Sequence, residues 1–560
     1  MTERAKKLVK RWRSLREERG QWYAQCDDLA RVMLPSRLGF TSQTYPGDRR
    51  TEDIYDSTAM QARRGLANAV GSMLRPEGQQ WIFIESADED ELDDEGLAWM
   101  ADSEDRMRDA FDNPKARFRQ ATGEADSDLV TFGTANIFTS ESDAMDHLRF
   151  QTIHPKDAVP VFSEEGSPNG MFRSRRMPLH QAVDMFGKDN LSELLRRKIE
   201  ETKIDEQAEF LHAVFPRNKI DGRFGAKRRM MAKNLPDASL WIEVDSGHEV
   251  KESGYQEFPF AVPRWDTASG EDTGLSPGMI ALPDANTLQA MEETLLIAGQ
   301  RAAAPPLLVP NDSAFDAANT MPDGITYYDA QLARDIGRIP ISPLETGAKM
   351  PIVLEMQDKK REQVWAAFMR NVLNLPVQGP QMTATEIIQR KEEMIREIGP
   401  VFGRLETDYT APMVERAFMI MLRANAFLPI PESLAGRKIK FRYESPVKKI
   451  RRMVEAAAAQ AWVSGLAEVE KVRPGTLDVV DFEEYARLTA DASSVPSKIV
   501  VGRDKLREIR AQKEQQASDA MEAQMAQQMA GAVKTVGETP GIKQALEGAA
   551  GTGGQKGQAA

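Results

Sequence analysis

The chain is nearly free of cysteine, with Cys26 alone among its 560 residues. One thiol excludes an internal disulfide framework and suits a reducing compartment. Cys26 lies in a helical pattern between Trp22 and Leu29, where a buried, inert thiol is expected. Long apolar runs are also missing. No stretch of eighteen or more uncharged apolar residues occurs, so no membrane-spanning helix is expected. The opening MTERAKKLVKRWRSLREERG is basic without the apolar segment of a signal peptide. It reads as an amphipathic helix with Leu8, Trp12 and Leu15 on one stripe.

Catalytic signatures are absent in the same way. There is no GxxxxGK[ST] phosphate loop, because the glycine-rich end GAAGTGGQKGQ lacks that spacing. No GxSxG or HExxH occurs. The five histidines, His147, His154, His180, His212 and His248, show no metal-ligand spacing and read as structural or surface residues. No acidic pair stands out as a general acid and base. No catalytic residue, cofactor or metal is therefore expected, and the chain reads as a non-enzyme. A nuclease using the acidic run Asp88–Glu95 stays open as an alternative, although a flexible acidic loop fixes a metal poorly.

The charge balance is acidic, with a formal net charge of −13. This disfavours tight wrapping by duplex DNA over the whole surface; it suits either solubility alone or a surface along which DNA slides. Basic clusters do occur at Arg173–Arg176, Lys227–Arg229 and Lys448–Arg452. They read as solvated faces or subunit contacts, or alternatively as phosphate contacts. Aromatics do not interleave with them, so base stacking is disfavoured.

What is present is mostly helical. Length alone suggests three or four domains at ~150 residues each. Residues 1–34 read as helix closed by Pro35. Asp56 or Ser57 caps a helix through Leu66 and Leu74. A short strand follows at Trp81–Ile84, then helices at 95–112 and 114–132. Between 148 and 254 the period shifts to two, as in Leu211/Ala213/Phe215 and Leu240/Ile242/Val244. Turns are expected at Glu164–Gly170 and Asp245–Gly247, and a helix at Leu179–Glu201 interrupts the sheet. The loop from Tyr255, dense in proline, glycine and aromatics, leads into a long helix. That helix is expected to start near Asp284 after Pro283 and to stop at Pro305-Pro306. A second long helix returns from Ile352 to about Leu373, so the pair brackets an irregular insert. Thr383-Ala384-Thr385-Glu386 gives a capping box, and Pro400 should break or kink the helix that follows. A strand is expected at Lys438–Tyr443 and helix over 447–515. Fraying helix to about Ala532 and then disorder complete the reading.

Four segments in order resemble the podoviral portal proteins, or head–tail connectors. They are IYDSTAMQARRGLANAVGSMLRPEGQQWIFI from Ile54, ESGYQEFPFAVPRWDTASGEDTGLSPGMIALPDANTLQAMEETLLIAGQRAAAPPLLV from Glu252, MTATEIIQRKEEMIREIGPVFGRLETDYTAPMVERAFMIML from Met382 and FRYESPVKKIRRMVEAAAAQ from Phe441. The segment Asp272–Pro277 departs from the family, which more often has an aromatic before the glycine. The resemblance implies an α+β, predominantly helical portal fold that forms a ring of about twelve subunits. Residues 1–275 and 384–445 would be the wing, 276–304 and 352–375 the stem helices and 305–351 the clip. Residues 376–383 would be a tunnel loop, 446–515 the crown and 516–560 a flexible tail.

By the same resemblance, Val377, Gln378, Gly379, Gln381, Met382 and Thr383 would face double-stranded DNA in a central channel. Asn311, Asp312, Phe315, Tyr327, Tyr328 and Arg334 would meet the large terminase and then a tail adaptor protein. Capsid and scaffolding proteins, and core or ejection proteins, are the other implied partners, and no membrane is. The virion's portal vertex is the implied location, after assembly in the host cytoplasm. The competing readings are a DNA-processing enzyme of the packaging machinery and a scaffold or tail protein without a channel. The missing phosphate loop argues against a packaging ATPase.

Overall fold

The computed structural model describes residues 3–45, 47–86, 93–142, 146–218, 234–303, 307–308, 331, 334–335, 337, 342–343, 350–370, 396, 399–444, 446–492, 495, 501 and 503–537. Two compact units emerge. The first comprises 1–87, 102–429 and 438–454, and the second comprises 88–101, 430–437 and 455–560.

Along the chain, α1 (Glu3–Glu18) and α2 (Gly20–Met33) replace the single N-terminal helix expected. The break falls at Arg19-Gly20, where glycine is a poor helix interior residue. Helix α3 (Thr58–Leu74) leads to β1 (Ile82–Ser86), α4 (Asp94–Asp112) and α5 (Phe118–Phe132). Asp56 accepts the Thr58 N–H at 2.7 Å, whereas Ser57 makes no side-chain cap bond. Next come β2 (Ile137–Glu141), β3 (Leu148–Thr152), β4 (Ala158–Phe162) and β5 (Pro168–Pro178). The helix expected over 179–201 is two helices, α6 (Leu179–Phe186) and α7 (Glu193–Glu200). Gly187, at φ +83°, ends the first, and the Ser192 hydroxyl caps the second. Strands β6 (Gln207–Pro216), β7 (Asp237–Glu243), β8 (Glu249–Tyr255) and β9 (Phe260–Ala261) follow.

Two long helices, α8 (Pro277–Ala303) and α9 (Met350–Ala367), bracket a two-residue antiparallel pairing of β10 (Leu307–Leu308) with β11 (Ser342–Pro343). A helical stretch from Gly399 contains a π-turn at Glu406–Thr410 and continues as α10 (Ala411–Arg423). The described helix includes Pro400, and residues 397–398, where the expected break would fall, lie outside the described residues. Strand β12 (Ile439–Tyr443), α11 (Pro446–Glu470), α12 (Phe482–Ala492) and α13 (Arg503–Gly537) complete the order.

In the first unit, β4 to β8 form a sequential antiparallel meander. Its alternation is the one legible in the sequence. Leu211, Ala213, Phe215, Leu240 and Ile242 face α1, where they bury Ala5, Val9 and Trp12. Phe210 and Trp241 point the other way, against Leu179, Phe186 and Leu195 of α6 and α7. Strands β2, β3 and β9 form a second sheet in the order β3-β2-β9, and β1 pairs with the distant β12. Cys26 is fully buried, and burial pushes its thiol far above the ordinary range, as an inert thiol requires.

Beneath these elements lies a buried charged core. Arg75, just past α3, reaches Asp126 of α5 at 2.5 Å, and its guanidinium lies 4.8 Å from the Tyr409 ring centroid. The Tyr409 hydroxyl donates to Asp126 at 3.0 Å. Burial pushes the Asp126 carboxyl up against the pull of Arg75, and burial raises the Tyr409 hydroxyl as well. Tyr409 is the last residue but one of the π-turn, so this triad keys the helix that continues as α10 to α3 and α5. Removing Asp126 strands a buried guanidinium. We expect Asp126→Ala to cost about 3–5 kcal/mol and Tyr409→Phe about 1–3 kcal/mol, read from urea unfolding midpoints. A loss under about 1 kcal/mol for Asp126→Ala would show that the triad is not the clamp.

Candidate functional site

The feature with functional potential is the α8–α9 pair and the seam that seats it. Helix α8 begins at Pro277, not near Asp284 as expected, and Pro283 lies inside it. The true cap is Ser276. Its hydroxyl accepts the Met279 N–H at 2.9 Å and donates to the Thr131 carbonyl at 2.8 Å. Serine followed by proline is a start signal present in the sequence and outranked there by Pro283-Asp284.

The loop ahead of the cap is stitched to the end of α5. Gly274 donates to the Thr134 hydroxyl at 2.9 Å, and Trp265 donates to the Gly133 carbonyl at 2.9 Å. A Cβ on Gly133 would lie 2.0 Å from the Gly274 carbonyl oxygen, and one on Gly274 would lie 2.1 Å from that of Gly133. Only glycine at both positions permits this approach. The launch of α8 is thus fixed by backbone contact with the body.

The pair runs antiparallel. Lys360 meets Asp284 at 2.7 Å, while Gln357 donates to Glu292 at 2.8 Å, farther along α8 and earlier on α9. Ala281, Ala285 and Leu288 supply the small and apolar packing stripe of α8, and Val364 and Phe368 supply that of the returning chain. At the seam Arg361 bridges outward. Its Nε donates to Asp56 at 2.9 Å and its Nη2 to Glu292 at 3.3 Å. The Gln289 amide oxygen accepts the Tyr55 and Asp56 N–H groups at 2.7 and 3.0 Å, and its NH2 donates to the Asp56 carbonyl at 2.6 Å. Burial pushes the Asp56 carboxyl up, but bonds from Thr58 and Arg361 outweigh it and hold the group below its usual range. The sequence offers Asp56 or Ser57 as the cap, and nothing in it announces the second partner of Asp56, 305 residues away.

Around α9, at about 100° per residue, three zones appear. Val353, Gln357 and Val364 face α8. Exposed apolar residues flank that stripe, with Ile352 and Met356 on one side and Leu354 on the other. Glu355, Asp358, Lys359 and Glu362 occupy the back. Helix α8 likewise exposes Ile280, Leu296 and Ile297. Six exposed large apolar side chains on two adjacent helices mark a surface suited to further packing.

Val377, Gln378, Gly379, Gln381, Met382 and Thr383 lie outside the described residues, as do Asn311, Asp312, Phe315, Tyr327 and Tyr328. Arg334 is described, in a helical turn and exposed. Of the basic clusters, Arg173 is buried on β5 and donates to Gln151 at 3.0 Å, while Arg176 lies 3.6 Å from Glu209. This cluster is bonded within the fold. Residues 227–229 lie outside the described residues, and Arg452 pairs with Glu444 at 3.1 Å. Most of the acidic run is also outside them; Asp93 accepts from Gly96 and Ser433.

Several carboxyls are perturbed, a frequent sign of active sites. Asp126, Asp128 and Glu104 have structural partners here. Asp128 is bidentate with Arg37 at 2.9 and 3.1 Å, and burial pushes it up to about 6. Asp126 points to Arg75, so these neighbours on α5 serve different elements. Glu104 accepts the Ile84 N–H at 2.7 Å, and burial pushes its carboxyl up to about 7. Among the described residues no group of three or more His, Cys, Asp or Glu could hold a metal. None of the described helices is long and apolar enough to cross a membrane.

Comparison with known proteins first defines the class, a structural component of the bacteriophage head-to-tail junction. The family described as "Bacteriophage head to tail connecting protein" matches residues 5–500, and the chain belongs to it. A relative described as "Probable portal protein" of Bordetella phage BPP-1 is 28% identical over 552 residues, covering 97% of both chains. The "Portal protein" of Salmonella phage epsilon15 is 27% identical over 541 residues, covering 95% of both. A solved chain titled "Neck of empty GTA particle computed with C6 symmetry" aligns over 80% of this chain and 95% of its own. It does so at 9% identity and a TM-score of 0.37, too distant to carry an argument.

The Glu104 carboxyl provides a test of the structural assignment. Its folded pKa of about 7 lies above the ordinary 4.5, so the native state holds a proton that the unfolded state releases. That contribution is complete below about 4.5 and is lost as pH rises toward about 7. Glu104→Gln keeps an oxygen for Ile84 and carries no charge. The variant's Tm relative to wild type should therefore climb between pH 4.5 and 7.5. A pH-independent difference would remove the burial account of Glu104.

Proposed function

We propose that the chain assembles into a closed ring of about twelve subunits at one capsid vertex. Double-stranded DNA passes through the ring's channel during packaging and again at ejection. The observation that supports this best is the helix pair with apolar flanks on both sides of its pairing stripe. Flanks on opposite sides favour head-to-tail contacts, and such heterologous contacts close into rings when the rotation permits. Residues 276–304 and 352–375 would then be the stem. The charged back of α9, with three acids to one lysine among Glu355, Asp358, Lys359 and Glu362, suits a wall past which phosphates slide.

In this reading 1–275 and 384–445 form the wing, 305–351 the clip, 446–515 the crown and 516–560 a tail. The clip, with Arg334 and the aromatic residues Phe315, Tyr327 and Tyr328, would dock the large terminase and later a tail adaptor. Residues 376–383, with the uncharged polar Gln378, Gln381 and Thr383, would touch DNA weakly. Capsid and scaffolding proteins, and core or ejection proteins, complete the set of partners.

Mass measurement of the purified chain, alone and with its scaffolding protein, tests the ring. We expect a species near twelve times the chain mass, and its loss in the double variant Leu354→Glu, Met356→Glu. A wild type that stays monomeric or dimeric in both conditions contradicts the ring, and a variant that assembles normally removes the flanks from the interface. Deleting 377–382 should leave the ring intact and impair DNA retention; loss of assembly would make that loop structural.

A further inference from the structure

The N-terminal helix presents a charge pattern opposite to that of the whole molecule. Between Glu3 and Arg19 there are eight basic and three acidic residues in a chain of net charge −13. With Ala5, Val9 and Trp12 buried on the sheet, an exposed flank of α1 carries Lys6, Lys10 and Arg13 at spacings of four and three, and the exposed Glu17 continues the same stripe. All three are exposed, and none makes an ion pair among the described residues. Lys7 beside them pairs only with the exposed Glu3, at 3.4 Å. No large apolar residue is exposed between residues 3 and 19, so this face lacks the anchor that protein interfaces use.

A second basic feature adjoins it. Gly247, in the β7–β8 turn, lies under the Lys6 stem, since a Cβ there would be 3.8 Å from Lys6 Cγ. The flanking Ser246 and His248 line one side of an open cleft of about 700 Å³. Its opposite wall is α7 and the segment after it, with Arg196, Arg197, Lys198 and Lys203. The two acids of the lining are held by neighbours, Glu193 by Arg197 at 2.5 Å and Glu201 by Lys203 at 2.9 Å. Such exposed pairs are weak and exchange readily. Arg196 adds a buried Nε that has no hydrogen-bond partner.

We infer that α1 and this cleft form one continuous phosphate-binding surface that holds duplex DNA by its backbone, outside any channel. Lys6, Lys10 and Arg13 span about 10 Å along the helix axis, enough to meet successive phosphates of one strand. With no exposed aromatics on α1 to stack bases, the contact is to the duplex backbone and is independent of sequence.

The test uses a covalently closed duplex minicircle, which cannot thread a preformed ring. The readout is therefore the same whether the chain is monomeric or assembled, and is independent of the ring proposal. The full-length wild type should retard the minicircle with an affinity that falls steeply with salt. The triple variant Lys6→Ala, Lys10→Ala, Arg13→Ala should lower the salt slope by roughly 2–3, at about 0.9 per lost phosphate contact. Arg196→Ala with Lys203→Ala should weaken binding independently. Circular dichroism and assembly mass matching wild type confirm that the variants fold. No retardation by wild type, or an unchanged slope in the triple variant with wild-type folding, overturns the proposal. Capture by polyglutamate without minicircle binding also overturns it, and points to an acidic protein instead.

Discussion

Asp56 is the point on which the arrangement of the long helices depends. One carboxylate oxygen caps α3 through Thr58, and the other holds Arg361 of α9. Its backbone is clasped at both N–H and C=O by the Gln289 amide of α8. One residue thus reads the register of three helices at once. Slip of either long helix by a turn would break a charge-assisted bond and leave a partly buried carboxylate or guanidinium without its partner, a penalty of several kcal/mol. The glycine contact at Gly133 and Gly274 sets where α8 leaves the body, and Asp56 sets how the pair is rotated once it has left.

The same physical pattern recurs through the first unit. Arginine–carboxylate pairs, rather than apolar contact alone, join elements distant in sequence: Arg75 with Asp126, Arg37 with Asp128, and Arg416 with the Glu257 carboxylate. Buried pairs of this kind contribute modestly to net stability but strongly disfavour mispaired alternatives, since a wrong neighbour leaves a charge in low dielectric.

The fold was legible where periodicity carries the information. The alternation at Leu211–Phe215 and Leu240–Val244 and the turn at Asp245–Gly247 gave the meander. What pattern cannot encode is pairing across the chain. Nothing local announces that β1 joins β12, or that Asp56 awaits Arg361. Helix boundaries failed where two signals competed: Pro283-Asp284 looks like a start, but buried Ser276, bonded to Thr131, fixes it seven residues earlier. The family was legible from four ordered segments, whereas the channel and clip residues rested on that resemblance alone.

The central claim is that the α8–α9 pair faces its own copies around an axis. The most direct measurement is a cryo-electron microscopy reconstruction of the assembled full-length chain. The account predicts a closed ring in which helices 277–303 and 350–367 surround the central hole, with Leu354 and Met356 packed against neighbouring subunits. A ring whose hole is bounded by the β4–β8 meander, with this helix pair facing outward into solvent, would contradict it.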